Sequence, residues 1–347
     1  MPRLRSAVPL AAVLAASVAV AACGSDSSSS DTTAASAAGG AAKPQTVKIA
    51  LDFSPNVNYL GIYTAIAKGY FAKQGIKPEI IPYANTPAET LIKSGKTDLG
   101  ITYPPDVIIN RSQGLKYKAV GALVANNTTA LAVLADSKST RPAQLNGTLY
   151  GGFGIQSDKP IISAILKADG VAKPEFKQVV LNTDVITALA KKRIQYTAVF
   201  GGIDDVTANL QGTKVRTFPY AKYLGAAGNY PNAVYVASDE TIAKRGAALK
   251  GTLAALAQGY EYSAKNPAEA AKILIAANQT ALGKSQNIVD ATAVAVSKQF
   301  LDSAGAWGQL QAEDFAGLSK ILQDGGVVKS PPPPADLYTD SLLPSQG

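Results

Sequence analysis

Residues 51–80 read LDFSPNVNYLGIYTAIAKGYFAKQGIKPEI. The stretch 46–53, TVKIALDF, alternates and is rich in β-branched residues, so it predicts a strand. That strand ends on Asp52, Phe53, Pro55, Asn56 and Asn58, and residues 59–75 then show helical spacing with a Gly75 stop. Polar side chains at the carboxyl end of a strand are poor material for a core. They are well placed at the rim of an open parallel sheet, where ligands bind.

Working outward, KPEIIPY (77–83) predicts a second strand, TPAETLIKSG (86–95) a capped helix and TDLGITY (97–103) a third strand. This short-interval alternation is the signature of an α/β architecture with helices covering mostly parallel sheets. After KAVGALVA (118–125) the alternation restarts with LAVLAD, TLYGGFG, the helix DKPIISAILKADG (158–170), FKQVVLN, DVITALAKKR and YTAVFGG (196–202). The strand NAVYVASDE (232–240) follows, and after it come long helical stretches over 241–277 and 288–302. Two α/β lobes are therefore expected, with the last third completing the first: residues 46–128 and 233–347 in lobe 1, residues 129–232 in lobe 2. Crossings near 124–132 and 229–236 would make a hinge with a ligand cleft between the lobes.

The ends carry a separate signal. Arg3 and Arg5 precede the apolar run VPLAAVLAASVAV and small residues lead to Cys23, so residues 1–22 predict a signal peptide. The run VAVAACGS resembles the bacterial lipobox, with Val20 in place of the more usual leucine. It implies lipid attachment at Cys23, which has no second cysteine to pair with. Residues 23–45 lack aromatic and nearly all large aliphatic side chains, and predict a flexible tether between membrane and domain. The formal charge of +8 falls to +6 once Arg3 and Arg5 are removed. With no basic run interleaved with aromatics, that excess predicts a solvated surface and no nucleic-acid partner.

The motif Asp52-Phe53-x-Pro55-Asn56-x-Asn58, then Gly61-x-Tyr63 and Gly69-Tyr70-Phe71, resembles the periplasmic binding proteins of ABC importers. The resemblance is to the branch that captures the pyrimidine precursor of thiamine. SGKTDLGITYPPD, LYGGFGIQSDKPIISAIL and NAVYVASDETIAK are similar to later segments of the wider family, which also takes up sulfonates, nitrate and flavin precursors. The resemblance implies a two-lobed type II binding-protein fold, a lipid-anchored monomer on the outer face of the cytoplasmic membrane, and permease and ATPase partners. It also implies a small heterocycle as cargo and no cofactor. Three positions depart from the pattern: Phe53 where tryptophan is usual, Tyr59 where histidine is usual, and Gly201-Gly202-Ile203-Asp204-Asp205 where a glutamate follows the glycines.

Phe53 and Tyr59 are candidates to sandwich a flat ring, although Phe53 could equally end a buried strand. Tyr103, followed by two prolines, is a further aromatic candidate. Asp52 either bonds an amino-heterocycle or caps the helix beginning near Asn58. Gly152, Phe153, Gly154 and Ser157 form a loop whose backbone could approach a ligand. Its N–H groups could hold an anion, against which Asp158 argues. Asp204 and Asp205 are adjacent, so in an extended chain one faces the cleft, and Asn232 could serve hinge or pocket. The chain has no histidine and no cysteine besides Cys23. No Ser/His or Cys/His pair and no zinc site can therefore be built. That weighs against the pyrimidine-synthase enzymes that share the resemblance. No arginine falls in the cleft loops, which weighs against a sulfonate or nitrate cargo.

Overall fold

The computed structural model describes residues 43–181 and 184–345. The expected signal peptide, Cys23 and nearly all of the tether lie outside the described residues. Ten strands form two five-stranded sheets. The first contains β1 (Gln45–Ala50), β2 (Ile76–Ile81), β3 (Leu99–Thr102) and β4 (Tyr117–Val124). The second contains β5 (Thr129–Leu134), β6 (Leu149–Gly152), β7 (Lys177–Val180), β8 (Tyr196–Phe200) and β9 (Val215–Pro219), and β10 (Ala233–Ser238) returns to the first. The strand orders are β2-β1-β3-β10-β4 and β7-β6-β8-β5-β9.

Each sheet is mixed in the same way: four strands run parallel and the one that enters from the other sheet, β10 or β5, runs antiparallel to its neighbours. The chain thus crosses between sheets twice, after Val124 and before Ala233. Asn232 ties the crossings together. Its N–H donates to the Val124 carbonyl at 3.0 Å, its Oδ1 accepts from the Thr129 hydroxyl at 2.9 Å, and its Nδ2 donates to the Thr128 hydroxyl at 3.3 Å. With both side-chain ends engaged and the residue buried, Asn232 is a crossing residue rather than a cleft wall.

One apolar core covers a face of the first sheet. It joins Ile49, Leu60, Ile62 and Leu99 to Leu253, Leu256 and Tyr260 of the long helix Asp239–Lys265. Gly61 and Gly259 permit that helix crossing, because a Cβ on Gly259 would lie 2.1 Å from the Gly61 carbonyl. Trp307 closes this core by stacking on Tyr260, with centroids 5.0 Å apart and planes 7° apart.

The second core draws on both sheets. It joins Val234 and Val236 with Leu131, Val133, Tyr150 and Tyr196, and includes Phe315, Leu318 and Leu322 of the helix Ala312–Asp324. That helix does not stay with the first sheet alone: a Cβ on Gly325 would lie 2.3 Å from that of Pro160, in the helix Asp158–Ala168. The carboxyl-terminal segment therefore braces the second sheet as well as completing the first.

Candidate functional site

The ends of β1, β3 and β8 bring Asp52, Tyr103 and Phe200 together between the sheets. Tyr103, just past β3, and Phe200, the last residue of β8, stack across it with ring centroids 6.0 Å apart and planes within 10°. Asp52, just past β1, accepts from the Tyr59 hydroxyl at 2.8 Å through Oδ1 and from the Tyr103 hydroxyl at 2.7 Å through Oδ2. Each carboxylate oxygen keeps a further lone pair for a donor. Burial holds the Asp52 carboxyl above its ordinary range, against the lowering pull of Tyr103 and then Tyr59. A carboxylate fixed by two hydroxyls yet costly to ionise gains from a ligand that brings a donor or a positive charge.

The motif residues divide by what they touch. Tyr59 is 1 % exposed; its ring lies in the core and its hydroxyl positions Asp52. Asn56, not Asp52, caps the first helical turn: its Oδ1 accepts from the Asn58 N–H at 2.9 Å while its Nδ2 donates to the Ser54 carbonyl. The Asn58 carbonyl accepts from Tyr260 at 2.9 Å, which links the site to the Trp307 stack. Phe53 is 54 % exposed and faces Tyr83 at 6.0 Å, so it ends no buried strand.

On the second sheet, Phe153 is also 54 % exposed, at the tip of the loop after β6. Gly154 adopts a φ of +76°, which allows that turn. Gly152 leaves room for Tyr150, whose hydroxyl would lie 2.5 Å from a Cβ there. Ser157 is buried at the start of the Asp158–Ala168 helix and makes no capping bond with its side chain. Asp204 and Asp205 both serve the turn after β8, where Asp204 accepts from the Phe200 N–H and Asp205 from the Gly202 N–H, each at 2.7 Å. Burial raises the Asp204 carboxyl to about 6, offset by that Phe200 bond.

The sequence places Phe200 and Asp106 in strand-end stretches, FGGIDD and TYPPD, without singling out either residue, and it gives no sign of Glu89. Glu89 and Asp106 occupy first turns of helices, where carboxylates commonly serve the helix dipole. Here both carboxyls are raised, chiefly by burial. Glu89 takes a hydrogen bond from the Thr102 hydroxyl and feels the Asp52 charge, while Asp106 reaches about 7 with help from Glu89 and Asp158. No Lys or Arg forms an ion pair with Asp52, Glu89, Asp106 or Asp158 among the described residues. Among the described residues, no cluster of His, Cys, Asp and Glu could hold a metal ion and no helix is long and apolar enough to cross a membrane.

The family model described as NMT1/THI5 like matches residues 56–270. A formylaminopyrimidine-binding protein from Halalkalibacterium halodurans is 30 % identical over 67 % of this chain and 70 % of its own. A 4-amino-5-hydroxymethyl-2-methylpyrimidine phosphate synthase from Uromyces fabae is 28 % identical over 43 % of this chain and 44 % of its own. Among solved structures, the periplasmic aliphatic sulphonate binding protein SsuA from Escherichia coli superposes with a TM-score of 0.65 at 16 % identity, covering 86 % of this chain and 99 % of that one. The fold is that of the two-lobed periplasmic binding proteins, and the chain belongs to the NMT1/THI5-like family.

Proposed function

We propose that the chain is the solute receptor of an ABC importer and that its cargo is a flat, donor-bearing heterocycle, an aminopyrimidine of the thiamine-precursor type. The observation that carries this reading is the Asp52 carboxylate, fixed by the Tyr59 and Tyr103 hydroxyls beside the Tyr103–Phe200 stack. An aminopyrimidine presents an exocyclic amino group to such a carboxylate and a π-face to the aromatics, whose stacking adds roughly 0.5–1.5 kcal/mol beyond area. The name of the Halalkalibacterium relative supports the pyrimidine.

A sulfonate cargo rests on the fold likeness alone, and the carboxylates at Asp52, Glu89 and Asp106 would repel it. A synthase would need a nucleophile or base, which a chain with no histidine and with Cys23 as its sole cysteine supplies poorly. Attachment through Cys23 would place a monomeric receptor on the outer face of the membrane, handing cargo to a permease driven by an ATPase.

The test is calorimetry against 4-amino-5-hydroxymethyl-2-methylpyrimidine, riboflavin and an alkanesulfonate. Saturable binding of the pyrimidine, without comparable binding of the sulfonate, is expected. A preference for the sulfonate would overturn the reading, and a preference for riboflavin would keep the cleft but replace the pyrimidine.

A further inference from the structure

A groove of about 620 Å³ opens at the far end of the first sheet from Asp52 and Tyr103. Its walls come from the end of the helix Ala88–Lys93, the turn before β4, the last residue of β10 and the first turns of the helix Asp239–Lys265. The start of β4 and the end of antiparallel β10 lie opposite the strand ends that carry the cleft residues, so the groove is no part of the cleft. Ile92 and Tyr117 are buried and, with Leu115, give it an apolar floor.

Lys93, Lys116, Lys244 and Arg245 stand around that floor, against the one carboxylate of Glu240. Lys93 and Lys116 are exposed and form no ion pair among the described residues. Lys244 meets Glu240 at 2.7 Å, but both side chains are largely exposed, and such a pair contributes little and can exchange partners. Arg245 donates to the Asp98 carboxylate and, through Nη2, to the Thr46 carbonyl at 2.5 Å. A guanidinium has five N–H donors, so it keeps others for a ligand.

Four cations over one carboxylate attract an anion, and phosphate oxygens are acceptors that Lys and Arg match well. Inorganic phosphate has no use for the apolar floor. A phospholipid does, because its glycerol and first methylenes gain by covering apolar surface. The point where the chain enters the fold supplies the source. Arg245 holds Thr46 near the start of β1, so the residues before Gln45 leave the fold beside the groove. A lipid on Cys23 would hold this end of the molecule, and not the cleft, against the bilayer.

We propose that the groove is a membrane-facing site for the phosphate headgroup of an anionic phospholipid, on which the first lobe rests with the cleft clear of the bilayer. The choice of a lipid as the source rests on the reading of Cys23 as lipidated; the affinity of the groove for the headgroup does not.

The test is co-sedimentation of the chain 24–347, which lacks Cys23 and keeps every described residue, with two kinds of vesicle. One is phosphatidylcholine alone and the other an equal mixture with phosphatidylglycerol. Binding to the mixed vesicles and not to the neutral ones is expected. Lys93→Gln combined with Lys116→Gln should weaken it about tenfold or more, as expected when two cations are lost from a contact with an anionic surface. Lys167→Gln combined with Lys173→Gln removes the same charge from exposed positions beside the second sheet, and should change binding by no more than about twofold. Equal losses in the two pairs, or unchanged binding in the first, would overturn the site. Inorganic phosphate titrated calorimetrically should not saturate in the micromolar range. Micromolar saturation abolished by the first pair would make the occupant a soluble anion and overturn the lipid. Asp26→Asn with Asp31→Asn neutralises the acidic residues between Cys23 and Lys43 and should leave vesicle binding unchanged. A severalfold gain would put the chain's own segment in the groove and overturn the lipid as its occupant.

Discussion

Replacing Asp52 by Asn separates a ligand-binding role from a structural one, because the two roles have opposite effects on stability. The substitution keeps the side-chain volume and one acceptor oxygen. It removes the charge that Tyr59 and Tyr103 face at 2.8 and 2.7 Å. Burial holds the Asp52 carboxyl above its ordinary range, so the folded chain binds a proton there more readily than the unfolded one. Its contribution to stability is greatest below the unfolded value near 3.9 and is lost as pH rises through the folded value. The Asn variant lacks that loss, so its melting temperature relative to wild type should improve between pH 4 and pH 8. A hydrogen bond to a charged group contributes roughly 1.5–3 kcal/mol, which is about a 10- to 150-fold weakening of pyrimidine binding in the variant. The assay pairs calorimetric titration with thermal melts at both pH values. A structural anchor would instead cost the variant about 2–4 °C per kcal/mol at pH 8. A large drop in melting temperature with unchanged affinity would refute the ligand role of Asp52.

Three further outcomes are expected. Asn232→Ala strands the Thr129 hydroxyl at the crossing and should lower unfolding free energy by about 1–3 kcal/mol in urea titrations; an unchanged midpoint would mean that the crossing strands are held by backbone contacts alone. Gly259→Ala drives a methyl to within 2.1 Å of the Gly61 carbonyl and should cost about 1–3 kcal/mol by overpacking, whereas a neutral result would show that the helix pair separates freely. Cys23→Ser should release the protein from the membrane fraction while leaving its melting temperature unaltered, and a variant that still sediments with membranes to the wild-type extent would count against lipid attachment.

The two α/β units were legible because their strand and helix periods alternate within short spans. Asp52 and Tyr103 stand out in the sequence because each sits where an apolar strand should continue, and the structure joins them by a hydrogen bond. Local pattern fails where tertiary contact decides the role. Tyr59 reads as a ligand-facing ring, but its side chain turns into the core and only the hydroxyl serves the site. Asn56 takes the capping role that sequence alone leaves open to Asp52. Phe200 falls in a strand-end stretch that the sequence marks only as a whole, and its ring stands out once β8 is set opposite β3. The carboxylates of Glu89 and Asp106 look like ordinary first-turn residues until burial and their mutual charges are known. The helix Ala312–Asp324 has a clear amphipathic period, yet nothing in that period says that its apolar face meets Pro160 and the second sheet.

The central claim is that Asp52 and the aromatics around it hold an aminopyrimidine. Mass spectrometry of the small molecules released on denaturing the freshly purified protein tests it most directly, with the Asp52→Asn variant purified in parallel. A pyrimidine mass should be released from the wild type and be strongly depleted in the variant. A sulfonate or a flavin released equally from both would contradict it.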